Sequence, residues 1–273
     1  MKVEIRLSQR CDEAALCRLF ERCFGDAPQD TQRYLAERNA QDRTWVLCEE
    51  GAPAAMVTAM PLTVGQRQGV YIYAVGTDPQ HRGKGYMHML CSAVFDALAA
   101  QGVAFCLLTP ADPKLEQTYR RMGFCDFAPI YRASVAAGQA LPMRSLDEEA
   151  FLQRHRQHLR SKGDAAWWPE ETLRYLFREM CRDGGGAVEY QSDGQSFYAA
   201  YTRAGDTVYL LEDSGSQPCV TAAALAARAQ LPFAQARASQ PMAGMQRTPS
   251  VLWRSLKPLS APRQGYLAFL LDI

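Results

Sequence analysis

The chain has 273 residues, of which 48% are hydrophobic and 22% are charged, and its formal net charge is +1 at pH 7. This composition is that of a globular protein with one large domain or two modest ones, and it excludes a disordered chain. The near-neutral charge gives no overall field for nucleic acid or an anionic membrane, so neither is expected as a partner.

The N-terminal stretch and the cysteines indicate the compartment. The first ten residues, MKVEIRLSQR, contain no apolar signal core, and no apolar run approaches the length of a bilayer-spanning helix. The nine cysteines are odd in number, scattered and without a C-x-x-C pair, which favours a reducing environment over a disulfide framework. We therefore expect a cytoplasmic protein.

The first half of the chain alternates between strand-like and helix-like segments. Strands are predicted where residues alternate or are β-branched and aromatic, and helices where apolar residues recur every three or four positions. The predicted strands are 2–8, 44–49, 54–60, 69–77 and 103–109, with closing strand material at 124–135, and the predicted helices are 11–24, 30–38, 86–100 and 113–122. The strand–helix–strand order from 69 to 109 predicts a parallel strand pair in an otherwise hairpin-like sheet.

The loop between strand 69–77 and helix 86–100 reads TDPQHRGKG, with two glycines and several basic residues. A helix N-terminus exposes unpaired backbone N–H groups and partial positive charge, and a glycine loop lets a phosphate approach them closely. The sequence lacks the G-K-[S/T] ending of a nucleotide-hydrolase loop. It also lacks the third glycine and the downstream acidic residue of a dinucleotide fingerprint.

A third phosphate-loop pattern fits. The segment Arg82-Gly83-Lys84-Gly85-Tyr86-Met87, preceded by Val75-Gly76-Thr77-Asp78-Pro79, resembles the Arg/Gln-x-x-Gly-x-Gly/Ala loop of the GCN5-related N-acetyltransferase (GNAT) superfamily. Met87 departs from the small residue usual at the last position. Residues 80–85 also fit the bare pattern, and the spacing from the Asp-Pro turn favours the register that begins at Arg82.

A second block of the same family follows. The stretch TPADPKLEQTYRRMGF resembles the family's Asn-x-x-Ala-x-x-Leu-Tyr-x-x-x-Gly-Phe segment. Tyr119, Gly123 and Phe124 match this segment, whereas Asp112 stands in place of Asn and Leu115 in place of Ala. The resemblance covers about the first half of the chain. The strand segment LLTPAD and the second α/β half resemble those of the tandem group within this superfamily, which is related to the enhanced-intracellular-survival acetyltransferases.

This resemblance implies a fold and a division of the chain. The fold class is α/β (α+β), with a mixed, mostly antiparallel central sheet flanked by helices, which is the GNAT fold. Residues 1–137 are expected to form the acetyl-CoA-binding GNAT domain. Residues 138–273 are expected to form a second, smaller and degenerate GNAT-like domain.

The resemblance also implies a cosubstrate and residue roles. Acetyl-CoA is the expected donor, and no metal is expected. Backbone N–H groups of the loop would hold the pyrophosphate, and the preceding strand would pair with the pantetheine. Tyr119 would donate a proton to the departing thiolate. The residues assigned to acetyl-CoA are Val75, Gly76, Thr77, Arg82, Gly83, Lys84, Gly85, Tyr86, Met87 and Asp112.

The implied function is transfer of an acetyl group from acetyl-CoA to a primary amine of a small molecule or peptide, by direct attack in a ternary complex. The alternative is a CoA-binding or ligand-sensing protein without turnover, which Met87 and the lack of an obvious base favour. The candidate bases are Tyr71, Tyr73, His81 and Glu116, and a water relay is an equal candidate.

The second half predicts a further α/β set. Its predicted helices are 146–162, 169–182 and 221–229, and its predicted strands are 186–191, 196–201 and 207–212. The segments 250–256 and 265–273 complete this set. It contains no comparable glycine loop before a helix, so it is expected to shape the acceptor site or carry a homodimer contact without binding CoA.

Two side-chain pairs in the second half have more than one interpretation. His155 and His158 are spaced to bind a metal, but the neighbouring arginines favour a solvated helix face. The pair Trp167-Trp168 is expected to anchor the second half, and a place in a substrate cleft is the other interpretation.

Overall fold

The computed structural model describes residues 2–38, 40–262 and 265–268. The chain forms two compact units: unit 1 contains 1–108 and 254–260, and unit 2 contains 109–253 and 261–273. The domain division predicted between 137 and 138 stays a prediction. Of the segment 265–273, which the sequence assigns to the second α/β set, residues 269–273 lie outside the described residues.

Unit 1 is built on a five-stranded sheet. The first four strands pair antiparallel in chain order, and the fifth is parallel to the fourth after a helical crossover. The strands are β1 Val3–Leu7, β2 Thr44–Glu49, β3 Ala52–Val64, β4 Arg67–Thr77 and β5 Phe105–Leu108, and the helices are α1 Glu13–Phe24, α2 Pro28–Glu37 and α3 Tyr86–Ala100. Short 3-10 helices occupy 10–12, 40–43 and 79–81.

The core of unit 1 follows from the periodicity of its helices. Leu16, Leu19 and Phe20 of α1 are at most 2% exposed and pack with Val46 of β2 and Met56 of β3. Burial of such side chains is the main stabilising contribution in a domain of this kind.

Residues 254–260 return to unit 1. The Leu256 N–H donates to the Ala104 carbonyl at 2.9 Å, just before β5. The Arg254 guanidinium lies 4.5 Å from the ring centroid of Phe95, a buried residue of α3. A late part of the sequence therefore completes this unit.

Unit 2 contains a larger sheet. Its strand order is β7-β9-β10-β11-β12-β6-β13, and every neighbouring pair is antiparallel except β11 and β12. A separate parallel pair joins β8 and β14. The strands are β6 Cys125–Ala136, β7 Met143–Ser145, β8 Asp164–Trp167, β9 Gly186–Ser192, β10 Gln195–Ala204, β11 Thr207–Asp213, β12 Phe233–Ala238, β13 Gln246–Ser255 and β14 Gly265–Tyr266, and the helices are α4 Pro113–Arg121, α5 Glu148–Arg160, α6 Glu170–Arg182 and α7 Pro218–Ala229.

The two units contain the same crossover. In unit 1, α3 connects β4 to β5, and the parallel ladder pairs Gly69–Tyr71 with Phe105–Leu107. In unit 2, α7 connects β11 to β12, and the ladder pairs Thr207–Tyr209 with Phe233–Gln235. The predicted class, a mixed and mostly antiparallel α/β fold with helices on the sheet, is confirmed.

The structure differs from the predicted elements at three strands. The sequence predicts no strand at residues 164–167, which form β8. The strands β7 and β12 were not predicted. β12 has the alanine-rich sequence FAQARA, which has weak strand propensity, and its pairing with β11 and β6 overrides that propensity. Within the described ranges, no helix has the length and apolar character needed to cross a bilayer.

Candidate active site

The second half of β4 carries a β-bulge. Met56 pairs with Gly76 and Thr58 pairs with Tyr73, so Ala74 and Val75 together lie opposite Val57. Ala74 has a φ of 51°, in the left-handed region that non-glycine residues rarely adopt. The predicted residues Val75, Gly76 and Thr77 therefore lie on a strand segment whose backbone direction is altered locally.

The Asp-Pro turn after β4 is anchored by Asp78. Its carboxylate accepts the Gln80 N–H at 2.9 Å and the Arg22 guanidinium at 2.8 Å, and it is only 7% exposed. Burial alone would raise the pKa of Asp78, but the Gln80 amide and Arg22 outweigh it and hold that pKa below its ordinary value. The entry to the glycine loop is thus fixed to α1.

Gly83 and Gly85 both require glycine conformations. Their φ values are +80° and +78°, and a Cβ placed on either would meet no atom within 4 Å. The backbone of the loop is therefore accessible on the side where a side chain at either position would project. This is the geometry that a closely approaching phosphate needs.

The N-terminus of α3 supplies hydrogen-bond donors at the same place. Its first helical bond runs from the Met89 N–H to the Gly85 carbonyl, so the N–H groups of Tyr86, Met87 and His88 have no intrahelical acceptor. In this described first turn no side chain caps the helix and no residue is acidic. With the positive end of the helix dipole, these groups favour an anion.

The basic side chains of the loop have different environments. Lys84 lies against Glu49 of β2, with its Nζ 2.8 and 2.9 Å from the two carboxylate oxygens. Arg82 is exposed and donates through Nε to the Thr77 carbonyl at 3.3 Å. In α3, the Tyr86 side chain is buried and that of Met87 is half-buried.

The remaining predicted site residues lie in unit 2, on α4. Asp112 is the N-cap of this helix, and its Oδ1 accepts the N–H groups of Lys114 and Leu115 at 2.7 and 2.8 Å. Tyr119 is 5% exposed and makes an edge contact with Phe124 at 5.7 Å. Gly123 follows the helix with a φ of +88°, the left-handed conformation that commonly ends a helix.

The candidate bases differ in how they are held. Tyr71 is fully buried, and Tyr73 packs edge-on against Tyr34 at 5.6 Å. Glu116 is paired with Arg120 at 2.6 Å. His81 lies 3.2 Å from Glu49 through Nε2. The identity of the base stays a prediction.

The predicted solvated face at His155 and His158 is wrong. Both histidines are buried, and His155 Nδ1 donates to Glu212 Oε2 at 2.7 Å. Tyr266 also donates to Glu212, at 2.9 Å, and lies 3.4 Å from His158 Nε2. Among the described residues no group of three or more His, Cys, Asp or Glu is arranged for a metal ion.

Trp168 contributes to the interior of unit 2, because it is buried and its Nε1–H donates to the Ala268 carbonyl at 3.1 Å. This contact accords with the anchoring role predicted for the tryptophan pair.

The crossover of unit 2 has a different loop from that of unit 1. Asp213, the last residue of β11, accepts the Gly215 N–H at 2.8 Å and the Tyr190 hydroxyl at 2.7 Å. Burial raises the pKa of Asp213. The helix α7 then starts with Pro218, which has no N–H group to donate. The carboxylate thus takes an amide of its loop, as Asp78 does in unit 1, whereas the start of α7 has one N–H group fewer than the start of α3.

Residues 4–126 match the family model described as acetyltransferase (GNAT) domain. No curated protein matches the chain significantly. A solved conserved protein from Enterococcus faecalis, described as a probable N-acyltransferase, is similar with a TM-score of 0.71 and 14% identity over 94% of this chain and 73% of that one.

Two further solved structures share the fold. A GCN5-related N-acetyltransferase from Anabaena variabilis has a TM-score of 0.68 and 16% identity, and covers 94% of this chain and 73% of its own. Eis1 from Mycobacterium abscessus has a TM-score of 0.58 and 14% identity, and covers 93% of this chain and 74% of its own. At these identities the likeness concerns the fold.

Proposed function

We propose, from the match of residues 4–126 to the acetyltransferase (GNAT) domain model, that the protein transfers an acetyl group from acetyl-CoA to a primary amine. The observation that carries the proposal is the open glycine loop before the uncapped N-terminus of α3. Acetyl-CoA supplies the activated acetyl thioester. The acceptor is the amine of an unidentified small molecule or peptide.

The loop and the start of α3 fit the pyrophosphate of the donor. In the proposal, N–H groups from Gly83 to His88 bind the phosphate oxygens, because they lie at the positive end of a 15-residue helix. Val75 to Thr77 bind the pantetheine by main-chain pairing. The bulge at Ala74 interrupts the regular pairing of β4 with β3. In the proposal, an N–H group of this segment polarises the thioester carbonyl.

Tyr119 is the proposed proton donor. As the amine nitrogen forms its bond to the acetyl carbon, the carbon–sulfur bond breaks and the thiolate takes the phenolic proton. A phenol suits this task, since its ordinary pKa near 10 keeps it protonated at neutral pH. The amine loses its own proton to a base or to water.

Replacement of Gly85 by tryptophan tests the loop. We expect wild-type protein to bind acetyl-CoA and the variant to lose at least about tenfold in affinity, measured by calorimetry. The bulky side chain would occupy the open space, and a φ of +78° strains any non-glycine residue.

Gly194→Trp is the matched control, because Gly194 has a φ of +75° and equally open surroundings in the β9–β10 hairpin. Equal losses in both variants, or none in Gly85→Trp, would contradict the assignment of the phosphate to this loop. No binding by the wild type would overturn the proposal itself.

The loop geometry of unit 2 supports a single donor site per chain. A Cβ placed on Gly215 would meet the Tyr190 hydroxyl, so this loop is not open as the loop of Gly83 and Gly85 is, and Pro218 removes an N–H group from the start of α7. We therefore expect calorimetry on the full chain to give one CoA per chain, with all binding affected by Gly85→Trp. A second site that survives this substitution would show that unit 2 binds CoA.

Turnover separates an enzyme from a CoA-binding sensor. The half-buried Met87, where the family usually has a small residue, is the observation that favours the sensor. Release of CoA thiol should be measured with polyamines, aminoglycosides, amino acids and peptide N-termini as acceptors. Acetylation of any of these at a rate above hydrolysis supports the enzyme, and tight binding without turnover supports the sensor.

A further inference from the structure

Glu49 brings together two basic side chains of the glycine loop. It is the last residue of β2 and is 9% exposed. Lys84 Nζ contacts both of its oxygens, at 2.8 and 2.9 Å, and His81 Nε2 lies 3.2 Å from Oε2. The carboxylate thus contacts the loop on both sides of Gly83.

The ring of Tyr86 lies beside the same two side chains. Lys84 Nζ is 5.5 Å from its centroid, and the His81 ring is stacked at 6.5 Å with an interplanar angle of 23°. Tyr86 is the first residue of α3 and is 4% exposed. The side chains that hold the loop therefore also pack against the first turn of the helix that carries the open amides.

The charges of this cluster are balanced within it. The Lys84 ammonium holds the pKa of Glu49 below its ordinary value, and Glu49 raises the pKa of Lys84. Both groups stay ionised around neutral pH, and the lysine is already engaged with a bidentate carboxylate. The Lys84 ammonium, paired in this way, is poorly available to bind a phosphate, but it holds the loop against β2.

We propose that Glu49 is a positioning residue for the phosphate-binding loop, acting through Lys84 and His81 to hold the backbone N–H groups in place. This inference rests on the proposed binding of acetyl-CoA. It gives Lys84 a role different from the direct cofactor contact predicted from the loop pattern. The phosphate is bound by backbone amides, and the affinity comes from holding them in one arrangement before the ligand arrives.

A cycle of variants in the full chain tests this arrangement. We expect Glu49→Gln to weaken CoA binding about tenfold in calorimetry, since preorganisation of the loop is lost. Lys84→Met is expected to weaken it less, because His81 still contacts Glu49. The double variant is expected to match Glu49→Gln alone, since that substitution already releases both basic groups.

The control is Glu50→Gln, the neighbouring exposed carboxylate, whose Oε1 accepts only the Lys2 N–H among its described hydrogen bonds. The CoA affinity of Glu50→Gln should equal that of the wild type. If turnover is found, Glu49→Gln should raise KM for acetyl-CoA and leave kcat within about twofold, because the loop does not touch the reacting atoms.

Three outcomes would overturn the inference. An unchanged CoA affinity in Glu49→Gln, even with lowered stability to urea, would mean that Glu49 only stabilises the fold. Tighter binding in Glu49→Gln that is lost in the double variant would mean that Lys84 is a phosphate ligand with which Glu49 competes. Additive losses would mean that the two residues act separately. Failure of the wild type to bind CoA would instead contradict the proposed function.

Discussion

Tyr119→Phe is expected to lower kcat by about 10²-fold to 10³-fold, while CoA affinity stays within about twofold of the wild type. The substitution removes one hydroxyl from a side chain that is 5% exposed, so the packing against Phe124 remains. Without a proton donor the thiolate must leave as an anion, which raises the barrier. The measurement is thiol release at saturating acetyl-CoA and the best amine of the acceptor panel.

The pH dependence adds a readout that a change in packing would not produce. In the wild type, kcat should fall at alkaline pH as the donor loses its proton, and this limb should disappear in Tyr119→Phe. Tyr131→Phe, on β6, serves as the matched control and should leave kcat unchanged. If Tyr119→Phe turns over as fast as the wild type, another group or water protonates the leaving thiolate.

Glu212→Ala is expected to destabilise the protein by about 3–5 kcal/mol, because it removes one partner from a buried charged network. Glu212 is 3% exposed, and its two oxygens accept from His155 and Tyr266. Without the carboxylate, these donors remain buried and lack their acceptor. Urea unfolding of the full chain, followed by circular dichroism, measures the loss.

Glu170→Ala is the control for that experiment, since Glu170 pairs with Arg174 while its side chain remains 47% exposed. Solvent screens such a pair, and its removal should cost far less. A similar loss in both variants would mean that the Glu212 network adds no more to stability than a surface ion pair.

The same network predicts sensitivity to acid. Burial holds the pKa of His158 below its ordinary value of 6.5. Burial alone would raise the pKa of Glu212, but the His155 imidazole outweighs it and holds that pKa below the ordinary 4.5. The unfolded chain binds protons at these groups more readily than the folded chain does, so acid favours unfolding.

Stability should therefore be fully present above about pH 6.5, fall as His158 is forced to charge, and fall further below 4.5. The second fall should be smaller in Glu212→Gln, although Asp78 and Glu49, whose pKa values also lie below their ordinary ones, still contribute to it. Urea midpoints measured between pH 4 and pH 8 check this dependence. A wild-type profile that is flat from pH 7 to pH 5 would contradict the assignment of His158.

The elements with strong local signals were predictable from the sequence. The bounds of α3, 86–100, agree with the prediction, because a glycine precedes a long apolar run. β12 was missed because its alanines give no strand signal, and its position depends on two neighbouring strands. The prediction for His155 was wrong because the adjacent arginines indicate a solvent-exposed helix face. Its buried partner, Glu212, is 57 residues away in the sequence, and no local pattern points to it.

The candidate site was predictable only along its own segment. The glycines and the helix start are local features, and the sequence pattern locates them. Glu49 is 35 residues from Lys84, and a glutamate at the end of a strand has no signature that identifies its partner. The bulge was equally hidden, because a positive φ is usually indicated by glycine and here the residue is Ala74.

The return of residues 254–260 to unit 1 has a consequence for biosynthesis. The chain leaves this unit at 108 and returns after about 145 further residues. At 5–20 residues per second, the ribosome needs roughly 7–30 s to make that stretch. Throughout this interval the nascent unit lacks the Arg254 contact over Phe95 and the Leu256 hydrogen bond to Ala104. Unit 1 is the first to emerge, and it completes this packing only after residues 254–260 have been made.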